Sequence, residues 1–146
     1  MNWTWLWVVL GLFLIISPAF WLLPSRRQKG QMAMRLAAGR QGIRVSMVRP
    51  DWPHWMLDHV ANETAQYTWV RKRASQPLVQ FWQVSAQVWH NKWREPLEDQ
   101  DLLAHLQTLP ADVWSIEIGP AAVQLTWAER GEVSGLEAVS QVLKSL

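Results

Sequence analysis

The segment "VWSIEIGPAAVQLTW" (residues 113–127) decides the fold class of this chain. Apolar and polar side chains alternate within residues 113–118 and again within residues 122–127. A period of two residues is typical of β-strands with one buried face. The Gly119-Pro120 pair between the two runs favours a tight turn. The segment therefore predicts an antiparallel β-hairpin.

Three further segments have the alternation or the composition of strands. They are "IRVSMVR" (43–49), "AQYTWVRKR" (65–73) and "PLVQFWQVSAQVWHNKW" (77–93). The apolar phase of the third segment shifts between Gln83 and Gln87, which predicts one long strand with a β-bulge at that point. The second and third segments are close in sequence, so we expect a hairpin through residues 74–77.

Three segments predict α-helices behind the N-terminal region. Residues 28–41 are rich in helix formers and precede Gly42, a residue type that commonly ends helices. Residues 98–110 begin with aspartates that can cap a helix. Residues 134–146 begin with a Ser-x-x-Glu capping box at Ser134 and continue with leucines and valines at helical spacing.

The first 25 residues have the character of a membrane anchor. No charged side chain occurs in the 21 residues from Trp3 to Leu23. As a helix this run is about 31 Å long, close to the roughly 30 Å hydrocarbon core of a bilayer. Tryptophans stand at both ends, as in the aromatic belts of membrane helices. They are Trp3, Trp5, Trp7 and Trp21.

The cations after this run predict its orientation. Arg26, Arg27 and Lys29 follow the run, and no basic residue precedes it. Because positive residues stay on the cytoplasmic side, we expect a single-pass protein of a bacterial inner membrane with its N-terminus outside. The three cations would lie among the lipid headgroups. A cleaved signal peptide is the alternative, but bulky residues 20–23 stand where such a peptide needs small ones.

The predicted elements make an α+β fold. After the N-terminal transmembrane helix their order is α-β-β-β-α-β-β-α. Short turns join most strands, which favours a mainly antiparallel sheet, and helices on one face complete a two-layer domain. We expect three regions: a transmembrane anchor (1–25), a basic juxtamembrane helix (26–42) and a cytoplasmic α+β domain (43–146).

Charge is distributed unevenly along the chain. Residues 1–50 contain seven basic and no acidic residues, whereas residues 51–146 contain seven basic and twelve acidic ones. Arg71-Lys72-Arg73 follows two aromatic residues in the manner of single-strand binders. The net negative charge of the larger part nevertheless opposes phosphate binding, so we do not expect nucleic acid as a partner.

The sequence has few candidates for catalysis. It has no cysteine, which excludes disulfides and thiolate chemistry. His54 and His59 are five residues apart, a spacing that no common ligand pair uses. No phosphate-binding loop, nucleophile elbow or zinc-protease motif is present. We therefore predict no catalytic residue, no metal site and no cofactor.

Tryptophan is unusually abundant, with 12 residues in the chain and eight of them after residue 50. Positions on strands favour core packing for most of these indoles. The loop "PDWPHW" (50–55) is different because two prolines interrupt it. We expect that loop to leave Trp52 and Trp55 exposed as contacts for a partner.

The N-terminal third resembles a known family of membrane proteins. The chain begins with an uncharged span, continues with "LPSRRQKGQ", and then has a predicted helix and strand. This order is similar to the opening of YajC, the small accessory subunit of the bacterial preprotein translocase. The resemblance covers about residues 3–47 and extends to small single-span proteins of Gram-negative bacteria that carry the YajC label. The family's Gly-Asp and paired-Gly strand segment is absent, and "RQGIRVSMV" stands in its place, so no functional residue is transferred.

These features lead to two functional hypotheses. The first is a single-span inner-membrane protein that acts by protein–protein contact as an accessory or assembly factor of a membrane complex, with the lipid bilayer and a membrane protein as partners. The second is a membrane-tethered enzyme or small-ligand sensor with a pocket in its domain. An exposed tryptophan-rich face favours the first hypothesis, and converging polar side chains in a cleft favour the second.

Overall fold

The computed structural model describes residues 3–21, 24–72 and 77–146, with side chains described for all of these except residues 19–21. It contains two compact units, Met1–Gly30 and Gln31–Leu146. The first unit contains α1 (Trp3–Trp21). Helix α2 (Arg26–Arg40) begins in the first unit and ends in the second.

Helix α1 covers most of the segment that we expected to span a membrane. Its described side chains are uncharged and nearly all exposed. Across the described parts of the chain, however, no helix has both the length and the hydropathy that crossing a bilayer requires. The structure therefore does not support the predicted transmembrane helix. Residues 22 and 23, which complete the predicted run, lie outside the described residues.

The second unit is built on one six-stranded sheet. In chain order its strands are β1 (Arg44–Val48), β2 (Thr64–Val70), β3 (Val79–Ser85), β4 (Val88–His90), β5 (Val113–Ile118) and β6 (Ala122–Trp127). Their order in the sheet is β1-β2-β6-β5-β3-β4, and all neighbours are antiparallel. Helix α3 (Gln100–Leu106) follows β4, and α4 (Gly135–Ser145) follows β6. The predicted α+β class and the β5-β6 hairpin are confirmed.

One face of the sheet carries the main hydrophobic core. A cross-strand row runs through Val45, Tyr67, Leu125, Ile116 and Phe81. These side chains form one apolar cluster with residues of α2, α3 and α4. The helices therefore pack on this face, which we call the helix face, as expected for a two-layer domain.

Two strand predictions are wrong. Residues 77–93 do not form one long strand, because a turn at Ala86-Gln87, with Gln87 at a φ of 64°, separates β3 from β4. The register between β3 and β4 shifts between Gln83 and Ser85, which is where we expected a bulge. Strands β2 and β3 do not form a hairpin: β2 lies between β1 and β6, where it pairs over six residues with β6.

Strand β5 contains a bulge that the alternation does not reveal. Val113 pairs with Trp127 and Ser115 pairs with Thr126, so Trp114 is the additional residue on β5. A residue inserted in this way changes the face to which its neighbours point. Trp114 accordingly packs away from the helix face, whereas Ile116 lies within the main core.

The helix ends agree in part with the predictions. The N–H of Ile43 donates to the carbonyl of Ala38 and the N–H of Gly42 donates to Gly39, with Gly42 at a φ of 80°. This is the Schellman arrangement, and it confirms Gly42 as the residue that ends α2.

The two later helices differ at their first residues. Asp99 caps α3, because its side chain accepts hydrogen bonds from the N–H groups of Asp101 and Leu102. The capping box predicted at Ser134 is wrong. Ser134 has helical backbone angles and its side chain makes no capping bond, whereas a capping residue needs non-helical angles.

Candidate interaction site

The loop between β1 and β2 folds over the sheet face opposite the helices. It contributes Trp52 and Met56 to a second apolar cluster, in which they meet Trp82 of β3 and Trp114 of β5. The rings of Trp52 and Trp114 meet edge-on, with centroids 5.8 Å apart. We call these four residues the aromatic cluster. It fixes the position of a loop that has no regular secondary structure.

Trp52 is not available to a partner, contrary to our expectation. Its side chain is only 8% exposed, and its Nε1 donates a 3.3 Å hydrogen bond to the carbonyl of Ala61. Trp55 is half-buried: its Nε1 donates to the carbonyl of Lys92 over 3.4 Å, and the guanidinium of Arg94 lies 5.9 Å from its ring centre. The prolines do not prevent burial, because the loop bends back onto the sheet.

The exposed indole in this region is Trp93, which is 77% accessible. It lies on a turn that Asn91 organises. The Asn91 Oδ1 accepts hydrogen bonds from the N–H groups of Trp93 and Glu95, and its Nδ2 donates to the Glu95 carboxylate over 2.7 Å. Arg94 completes the turn with a φ of 64°. We call residues 91–95 the indole turn, since it holds Trp93 outward on a fixed backbone.

Most other tryptophans of this unit serve the core, as their strand positions predicted. The buried ones outside the loop are Trp82, Trp89, Trp114 and Trp127. Trp69 is half-buried beneath the Lys144 ammonium, which lies 5.4 Å from its ring centre. Trp93 is therefore the one indole of residues 31–72 and 77–146 that the fold leaves largely exposed.

The predicted membrane-interface residues are exposed where they are described. Trp3, Trp5 and Trp7 have more than half of their surface accessible, and Arg26, Arg27 and Lys29 are also exposed. The side chain of Trp21 lies outside the described residues. The described residues of the first unit leave these indoles uncovered, and an interfacial role for them stays a prediction.

A buried ionic network joins α2 to the end of β6. The Arg35 Nε donates to Glu129 Oε1 over 2.9 Å, and its Nη2 lies 2.5 Å from Oε2. The Tyr67 hydroxyl donates to Glu129 Oε1 over 2.6 Å. Burial first, and then the hydrogen bond to Glu129, raise the pKa of the Tyr67 phenol well above its usual value. The hydrogen bond to Glu129 likewise raises the pKa of Arg35. The Glu129 carboxylate therefore accepts from both Arg35 and Tyr67, which indicates a structural role.

The described residues contain no group of three or more His, Asp or Glu side chains arranged to hold a metal ion.

No family model, curated protein or solved structure matches this chain.

Proposed function

We propose that this protein is a membrane-anchored accessory factor that binds a partner protein through the indole turn. The proposal is based on the 77% exposure of the Trp93 side chain. Hydrogen bonds between Asn91 and Glu95 hold the five-residue turn that presents it. Tryptophan and arginine are enriched at the centres of protein interfaces. A side chain presented on a preformed turn also loses little conformational entropy when it binds.

The charges around the turn favour a protein over an anionic lipid surface. Lys92 and Arg94 flank Trp93, Glu95 follows them, and Asp58 is in the loop between β1 and β2. Residues 51–146 as a whole carry a net charge of −5. Anionic membranes attract clusters of basic residues, whereas mixed charges around an apolar centre are typical of protein interfaces.

Helix α1 supplies the anchor in this proposal. Its apolar side chains are exposed on all sides, a surface far larger than soluble monomers normally leave open. Insertion of residues 3–23 into the inner membrane, with Arg26, Arg27 and Lys29 on the cytoplasmic side, would cover that surface. Anchoring raises the effective concentration of the domain near membrane-bound partners. We propose a membrane protein as the partner for this reason.

Purification from the native membrane in mild detergent tests the partner. We expect a stoichiometric protein to co-elute with the wild type and to be lost from Trp93→Ala. The matched control is Val133→Ala, which truncates another exposed apolar side chain and should retain the partner. A partner retained by Trp93→Ala, or a preparation that contains this chain alone, would contradict the proposal.

The absence of cysteine makes the anchor directly testable. Single cysteines at Asn2→Cys and Glu132→Cys would be treated with a membrane-impermeant maleimide in intact cells. We expect labelling at position 2 in intact cells and at position 132 only after lysis. Equal labelling at both positions, or extraction of the protein from membranes by alkaline carbonate, would refute a spanning anchor while leaving the partner test unaffected.

A further inference from the structure

We propose that a pocket on the sheet face opposite the helices binds a small, uncharged, hydroxyl-rich molecule such as a sugar or polyol. The pocket has a volume of about 300 Å³, at the lower end of the range for small-molecule sites. The segment Pro50–Pro53 forms one side of it, and β2, β3, β5 and β6 form its floor. We call it the sheet-face pocket.

Two cross-strand rows of side chains, polar except for Trp82, make the floor. Along each strand, side chains two residues apart point to the same face. The first row pairs Gln80 with Glu117 and Glu117 with Gln124. The second row pairs Gln66 with Thr126, Thr126 with Ser115, and Ser115 with Trp82. All seven side chains line the pocket.

Three glutamines of the pocket are half-buried. Among the described residues, no group hydrogen-bonds to the side-chain amides of Gln66, Gln80 or Gln124. Gln83 gives the contrast. With its amide oriented to satisfy its neighbours, its nitrogen donates to the carbonyls of Val113 and Ala111. Gln83 is buried and paired, as most buried polar groups are. The amides of Gln66, Gln80 and Gln124 instead remain open to solvent, so a ligand that replaces water in this cavity can hydrogen-bond with them.

The deepest polar groups satisfy one another. Ser115 Oγ and Thr126 Oγ1 are 2.6 Å apart and both are buried. Each hydroxyl has one donor and two acceptor sites, so the pair retains acceptor capacity after its mutual bond. The floor thus combines three amides, two hydroxyls and the carboxylate of Glu117, with the groups held on neighbouring strands.

The walls disfavour a ligand that binds by stacking. Trp52 and Trp82 line the pocket, but only 8% and 4% of their surfaces are accessible. Stacking of a nucleobase needs an open aromatic face, and these indoles are covered by their own cluster. Recognition must therefore come mainly from hydrogen bonds.

Charge and hydrogen-bond chemistry select the ligand class. Asp51 and Glu117 face the pocket together with Lys92, so a free anion meets two carboxylates and one ammonium. A hydroxyl both donates and accepts. It can therefore pair with either end of an amide, with a carboxylate or with an ammonium, and a molecule with several hydroxyls can use the whole array.

A solvated face is common in antiparallel sheets and would account for polar residues alone. It does not account for the loop that crosses this face. The contact of Trp52 with Trp114 and its bond to Ala61 hold Pro50–Pro53 beside the glutamines, which converts a flat polar surface into a cavity.

Saturation-transfer NMR on the full-length protein tests the inference, in a detergent without a sugar headgroup. The probes are glucose and sorbitol, with inorganic phosphate and choline as charged comparisons. We expect saturable binding of glucose or sorbitol in the millimolar range, typical of small polar ligands. Gln124→Leu should weaken it by about tenfold, and Gln141→Leu, on the exposed side of α4, should not.

Three results would overturn the proposal. They are no saturable binding of glucose or sorbitol, binding of choline or phosphate alone, and polyol binding that is unchanged in a folded Gln124→Leu protein. Urea unfolding of both variants checks that they fold. Because Trp93 does not line the pocket, the outcome is independent of the partner-binding test with Trp93→Ala.

Discussion

The Arg35 guanidinium in α2 and the Glu129 carboxylate after β6 form a two-pronged ion pair between residues 94 positions apart in the chain. Glu129 is 3% exposed, and Arg35 is about one third exposed. The pair ties the second half of α2 to the sheet, beside Met34 and Ala38, which enter the main core. It shows that this half of the helix packs on the sheet of the second unit, whereas its apolar residues Met32 and Leu36 remain exposed.

We predict that Glu129→Gln destabilises the fold. The substitution removes the carboxylate that both Arg35 and Tyr67 use. The free energy of unfolding should fall by about 1–3 kcal/mol, a range reduced for the partial exposure of Arg35. Urea unfolding measures the change. Glu132→Gln, which alters an exposed acid nearby, should have almost no effect, and equal stabilities of the two variants would contradict the role of the network.

Tyr67 should resist ionisation in the folded protein. It is the only tyrosine of the chain, so the ultraviolet titration of phenolate reports on it alone. Its pKa is raised by burial and by the bond to Glu129, and the proton therefore stabilises the folded state. This stability is fully present below the unfolded pKa of about 10 and is lost as the pH rises above that value. Phenolate that forms reversibly near pH 10, without unfolding, would contradict the assignment.

Gly42→Ala should destabilise the domain. A side chain at the positive φ of Gly42 is strained, and the added Cβ would lie 3.3 Å from the Trp69 ring. We expect a loss of about 1–2 kcal/mol in unfolding free energy. Gly39→Ala is the matched control. It lies within α2 with open space around it, so it should be neutral or stabilising by up to about 1 kcal/mol. If Gly39→Ala lowered the unfolding free energy more than Gly42→Ala, the result would be inconsistent with the described end of α2.

Two neighbouring tryptophans should respond oppositely to truncation. Trp89 is fully buried in the main core, whereas Trp93 is exposed. We expect Trp89→Ala to cost about 3–5 kcal/mol and Trp93→Ala to change stability by less than about 0.5 kcal/mol. Thermal or urea unfolding distinguishes them. A large loss for Trp93→Ala would mean that its side chain supports the fold.

Local patterns predicted the parts of the fold that depend on neighbours in sequence. The β5-β6 hairpin follows from alternation and a Gly-Pro turn, and α3 follows from an aspartate cap. The capping box, in contrast, occurs at another site than predicted: Ser25 N–H donates to Gln28 Oε1, and Gln28 N–H donates to Ser25 Oγ. The Ser-x-x-Gln signal was present there in the sequence, and Ser25 lies just ahead of α2.

Pairings between distant segments could not be predicted in this way. The position of β2 beside β6 and the bulge at Trp114 depend on register across the sheet, which one strand alone does not encode. The burial of Trp52 depends on Trp114, 62 positions later. The same limit applies to the sheet-face pocket, because its glutamines come from three strands. The indole turn was accessible to local analysis, since Asn91 and Glu95 are only four positions apart in sequence.

Site-specific photocrosslinking in living cells tests the central claim most directly. A benzoylphenylalanine placed at the exposed position 92, beside an intact Trp93, should form one adduct of defined mass with a membrane protein on irradiation, and Trp93→Ala should abolish that adduct. The same group at the exposed position 132 should not form this adduct. Absence of a protein adduct at 92, crosslinking to lipid alone, an identical adduct at both positions, or an adduct that survives Trp93→Ala would contradict partner binding through Trp93.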